Sequence, residues 1–69
     1  MAKDEMTPLR RKIILALADC SMVVSAAARK LYIDHTTVFY HMRIIKQITG
    51  KDPRNFYDLC DLVQMVKGV

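Results

Sequence analysis

The sequence predicts an all-α fold of four helices joined by short turns, and three observations lead there. Apolar residues recur at three- and four-residue spacing along four separate stretches. Only two glycines and two prolines punctuate the 69 residues, too few turns for a sandwich or barrel. No stretch alternates apolar and polar residues as a half-buried strand would. At this length one domain spanning residues 1–69 is expected.

The first helix begins at Thr7-Pro8. A hydroxyl there accepts from free N–H groups, and a proline at the first helical position gives up an N–H that has no partner anyway. Leu9, Ile13, Ala16, Leu17 and Cys20 follow at helical spacing, with Arg10, Arg11 and Lys12 read as a solvated flank. The spacing predicts a helix over about 8–20, behind a loose tail over 1–6.

The second helix, about 24–31, is short and rich in helix formers: Ser25-Ala26-Ala27-Ala28-Arg29-Lys30-Leu31. Its closing basic pair complements the helix dipole. Tyr32-Ile33 interrupts the pattern, Tyr32 being read as a packing residue over the first helix. Asp34 is placed to cap a third helix over about 35–49, which stops at Gly50, a residue suited to a left-handed C-cap. The apolar stripe of that helix is Val38, Met42, Ile45 and Ile48. Asp52-Pro53 marks a turn, and Asn55 caps a fourth helix over about 55–67 with Phe56, Leu59, Cys60, Val63 and Val66 facing inward.

Composition narrows the function. The chain is 52% hydrophobic with a net charge of +4, apolar enough to fold and basic enough to suit a polyanionic partner. Cys20 and Cys60 form no CxxC pair and are read as reduced core thiols. His35 and His41 are six apart and share no helix face, which argues against a metal pair. Asp58 and Asp61 are read as surface carboxylates that aid solubility. No nucleophile with a nearby base, no phosphate-cradling glycine loop and no metal-ligand spacing occurs, so no enzyme, metal or cofactor is expected. No apolar run is long enough to span a membrane, and no signal-type stretch opens the chain; a cytoplasmic location is expected.

A short alanine-rich helix followed by a three-residue turn and a longer helix has the form of a helix-turn-helix. Close crossing of the pair needs a small residue, supplied by Ala28, with Leu31 and Ile33 flanking the turn. Rotating the third helix by 100° per residue about Val38 puts Thr36, Tyr40, Arg43 and Gln47 on the far side. His35, Phe39 and Lys46 flank that side, and Thr37 lies in the same first turn. Arg43 suits guanine and Gln47 adenine, while threonine methyls or Phe39 suit thymine methyls. Phe39 serves equally as a packing residue at a helix or dimer interface, and Tyr40 as a half-buried bridge to the second helix. Residues 29–54 hold six basic side chains and two acidic ones, so the positive bias sits on this unit.

Ser25-Ala26-Ala27-Ala28-Arg29-Lys30-Leu31, Thr37-Val38-Phe39-Tyr40-His41-Met42, Ile45 and Ile48-Thr49-Gly50 resemble the C-terminal helix-turn-helix domain of PucR-type regulators, which include the sugar-diacid regulators. The likeness covers nearly all of residues 9–66. It implies a transcriptional regulator with a three-helix core, homeodomain-like or winged-helix-like, plus a C-terminal helix. It also implies a recognition helix carried by His35, Thr36, Thr37, Phe39, Tyr40, Arg43, Lys46 and Gln47. This chain departs from the family where His35, Phe39 and His41 replace the usual basic residues, and where Thr36 replaces a frequent Asn. Family members carry a sensory region ahead of this domain; here Met1 stands almost at the first helix, and a stand-alone small regulator is the expectation.

The predicted partner is double-stranded DNA, bound by a homodimer. The fourth helix has more apolar residues than one stripe needs, with Leu62 and Met65 beside the inward face, and is the expected dimer surface. Two alternatives stay open. One is a helical adaptor that keeps the fold without DNA readout and binds a protein of the transcription machinery. The other binds RNA, with Phe39 and Tyr40 as stacking platforms.

Overall fold

Thr7 starts the first helix as its side-chain chemistry predicts. In the computed structural model, which describes residues 6–67, its hydroxyl accepts from the Arg10 N–H at 3.3 Å and α1 runs over Pro8–Asp19. The expected tail falls mostly on residues 1–5, outside the described range; Met6, the sixth, packs against the core. Past Asp19 the chain turns through two successive left-handed residues, Ser21 at φ 54° and Met22 at φ 67°. The Met22 N–H returns to the Leu17 carbonyl at 2.7 Å.

α2 covers Val24–Leu31 and ends in a left-handed cap at Tyr32, φ 59° and ψ 39°. Its last carbonyls are satisfied from beyond the helix, Ile33 N–H donating to Ala28 at 3.0 Å and Tyr32 N–H to Arg29 at 3.2 Å. α3 covers His35–Thr49 and stops at Gly50, whose φ of 75° suits a residue without Cβ. Asp34 occupies the N-cap position through its carbonyl, which accepts from Thr37 and Val38. Its side chain makes no capping hydrogen bond, contrary to the expectation. α4 covers Phe56–Lys67, capped by Asn55 Oδ1, which accepts from Tyr57 N–H at 3.0 Å and Asp58 N–H at 3.1 Å.

The four helices form an all-α arrangement with no strand among the described residues. α1 is the hub: it touches α2, α3 and α4, α2 also packs on α3, and α4 rests on α1. Ile13, Ile14 and Leu17 of α1, Ala27 and Ala28 of α2, Val38, Met42 and Ile45 of α3, and Leu59 and Leu62 of α4 make one buried cluster. Each fully buried Ile or Leu contributes about 1.5–3 kcal/mol. Ala27 and Ala28 contribute differently: their small size lets α2 come close to both neighbours.

The hub position of α1 accounts for the largest correction. A helix flanked by three others needs a wider inward sector than one stripe, and here it takes in Arg10 and Ile14 beside Ile13, Ala16 and Leu17. Arg10 is 7% exposed and therefore not part of a solvated flank, while Arg11 and Lys12 are exposed. Leu9 and Cys20, expected in the stripe, are half-buried at its margin.

On α4 the inward side is rotated from the expected one. Leu62 is fully buried with Leu59, Val63 and Val66 are half-buried, and Phe56 and Cys60 are exposed. Leu62 thus belongs to the core, not to a dimer surface, and Cys60 is not a core thiol. Asp58, Asp61, Gln64 and Lys67 mark the polar side of α4, but Phe56 and Cys60 lie at the edge of its apolar sector, and contact with α1 centres the buried side on Leu59 and Leu62 instead. Tyr32 is also corrected: at 94% exposed it packs on nothing, because the left-handed cap turns its side chain outward.

Candidate nucleic-acid interface

α3 owes its orientation to its buried side. Val38, Met42, Ile44 and Ile45 are buried, Ile48 is half-buried, and α2 and α1 grip that side. The opposite side is open. His35, Thr36, Phe39, Tyr40, Arg43, Lys46 and Gln47 are exposed, and Thr37 is half-buried at the margin. Tyr40 is 56% exposed, which removes the reading of it as a half-buried bridge to α2. The eight residues therefore lie along one helix, seven of them open to solvent, as a groove-reading surface requires.

The aromatic rings on α3 are ordered by edge contacts. His35 meets Phe39 at 6.3 Å between ring centroids, and Tyr40 meets His41 at 5.2 Å, both edge to face. His41 is half-buried, and its Nδ1 accepts from the Arg10 Nε–H at 3.1 Å. Burial pushes the His41 pKa below the usual histidine value, and the Arg10 charge adds to that shift. His41 thus acts inside the fold as a satisfied histidine.

The link between α3 and α4 brings in side chains that sequence reasoning did not place at the site. Arg54 lies over the Phe39 ring, its guanidinium carbon 6.0 Å from the centroid. Phe39, Met42, Arg43, Lys46, Asp52 and Arg54 line a crevice of about 310 Å³. Lys46 approaches Asp52 at 3.9 Å, the outer limit of an ion pair. By sequence, Arg54 counts in the basic 29–54 unit and Asp52-Pro53 reads as a turn, without placing Arg54 beside Phe39. Arg29 and Lys30 add exposed positive charge at the end of α2.

A second surface lies on the other side of α1. Ala18, Met22, Phe56, Leu59, Cys60 and Val63 line an apolar groove of about 470 Å³ between the α1–α2 turn and α4. Phe56, which lines it, is exposed, as are Tyr57 and Met65 elsewhere on α4. Among the described residues no cluster of His, Cys, Asp and Glu could hold a metal ion, and no helix is long and apolar enough to cross a membrane.

The model of the PucR C-terminal helix-turn-helix domain family matches residues 11–67, and the chain belongs to that family. No curated protein matches the chain, and no solved structure does. Membership places the chain among domains of DNA-binding regulation.

Proposed function

We propose that this PucR-type helix-turn-helix chain binds double-stranded DNA sequence-specifically as a small cytoplasmic transcriptional regulator, with α3 in the major groove. The open side of α3 carries the reading: a polar and aromatic face held outward by a fully packed apolar one. Arg43 and Gln47 are the base-reading pair, suited to guanine and adenine, and Thr36 and Tyr40 lie on the same line. His35 and Thr37 sit in the first turn, where a recognition helix meets base edges, and Lys46 with Phe39 flanks the contact.

The basic residues between Arg29 and Arg54 other than Arg43 supply the phosphate grip, Lys51 giving up its 3.1 Å pairing with Asp61 to join it. With about five phosphates neutralised per protomer, log affinity falls against log salt with a slope of about −4 to −5. Two copies pairing through the apolar side of α4 would present two such helices to a half-site repeat. The experiment is selection of bound duplexes from a random pool, repeated with Arg43→Glu. An enriched palindrome, lost in the variant, is the expected result; no enrichment together with salt-indifferent binding overturns the proposal.

A second reading has its own observation. The apolar groove beside α4, with Phe56 exposed in its wall, also suits an adaptor that binds a protein of the transcription machinery. Under that reading Arg43→Glu leaves partner capture intact.

A further inference from the structure

The segment from Thr49 to Asn55 is a fixed structure between two helices. The Thr49 hydroxyl donates to the Ile45 carbonyl at 2.7 Å and accepts from the Lys51 N–H at 3.1 Å. The Asp52 N–H donates to Asp58 Oδ2 at 3.0 Å, while Asp52 Oδ1 accepts from the Arg54 N–H at 2.9 Å. Pro53 is fully buried between these anchors. The backbone that carries Arg54 is therefore set before any ligand arrives, which lowers the ordering cost of a contact made there.

Three cations and one carboxylate face the same crevice, a net positive charge: Arg43 and Lys46 from α3, and Arg54 with Asp52 from the link. Among the described residues no carboxylate lies within ion-pair distance of Arg43 or Arg54, and Asp52 reaches Lys46 only at 3.9 Å. Like charges gathered at one crevice repel, and an anion seated among them relieves the repulsion. A guanidinium lying over an aromatic ring keeps its edge N–H groups free, and those groups match two phosphate oxygens at once.

We infer that Arg54, held over Phe39, forms with Lys46 a phosphodiester site beside the base-reading Arg43, so that the α3–α4 link grips the DNA backbone next to the groove α3 reads. Phe39 is the positioning residue of this site and Arg54 its anion contact. The inference rests on the duplex-binding reading and adds a second anchor to it.

The test measures duplex affinity across a salt series for the unaltered chain, Arg54→Ala, Phe39→Leu and the double variant, on the selected site and on an unrelated duplex. Arg54→Ala is expected to weaken both duplexes alike, by about three- to tenfold, and to make the log–log salt slope shallower by about 1. Phe39→Leu is expected to weaken binding in the unaltered background and to add nothing in the Arg54→Ala background. Both side chains are exposed, so the folded state should survive, and a melting curve checks it. An unchanged slope and affinity in Arg54→Ala, with the unaltered chain binding duplex, overturns the phosphate site alone. A Phe39→Leu loss that is additive and confined to the selected site overturns the positioning role. No duplex binding by the unaltered chain overturns the proposed function, and this site with it.

Discussion

Arg10 and His41 tie the first helix to the third: the guanidinium donates through Nε to Nδ1 of the imidazole at 3.1 Å. An accepting Nδ1 carries no hydrogen, so the ring here is neutral with its proton on Nε2. Protonation would put a hydrogen on the accepting nitrogen and a second positive charge beside the guanidinium.

This contact predicts a stability that depends on pH. His41 binds its proton less readily in the folded chain than in the unfolded one, where the value is about 6.5. The stabilisation is complete above about pH 6.5, is lost as pH falls through the lower folded value, and levels off below it. A single proton limits the slope to about 1.4 kcal/mol per pH unit, and partial solvation of the ring keeps it below that. Urea midpoints across this range should fall for the unaltered chain and stay flatter for His41→Gln; parallel curves would refute the assignment.

Tyr32→Gly should stabilise the fold. A left-handed conformation costs a residue with Cβ about 1–2 kcal/mol, and glycine's extra unfolded freedom takes back about 0.5–1 kcal/mol. Since Tyr32 is 94% exposed, no packing is lost. The net gain of about 0.5–1 kcal/mol should raise the melting temperature by a few degrees.

Ala27→Leu and Ala28→Leu should each destabilise by about 1–3 kcal/mol through overpacking. Both alanines are buried where α2 packs on its neighbours. Chemical denaturation measures the loss, and stability unchanged in both variants would mean that α2 can move away from its neighbours.

Phe56→Glu should convert a dimer to a monomer in sedimentation and lower the melting temperature only by what pairing adds, so that it no longer rises with protein concentration. Phe56 is exposed at the rim of the α4 groove, where a charge disrupts pairing between copies without disturbing the core. A dimer that persists would move the interface to another face.

Much of the architecture was legible because the ends of the elements are written in local chemistry. Thr7-Pro8, Gly50 and Asn55 each do at the backbone what their side chains suit them to do. The polar side of α3 was legible for a similar reason, since its apolar stripe is narrow enough to fix the helix phase. The apolar sector of α4 is wider than the side it buries, and the competition among Phe56, Cys60 and Leu62 within it is settled by α1. Arg10 was missed because a long polar side chain goes inward only when a partner on another helix awaits it, here His41. Arg54 was counted in the basic unit but not placed at the site, because its place there comes from Phe39, fifteen positions earlier in the chain.

Pro53 is buried in a link whose Lys51 N–H donates to Thr49 and whose Asp52 N–H donates to Asp58, ties that join the helix proposed to read bases to the helix proposed to pair copies. A two-copy assembly built on a link held in this way would behave as a ruler. One base-pair step added between half-sites turns the second site by about 35° around the duplex axis. Such an assembly would choose its operators by spacer length as strictly as by the letters they contain.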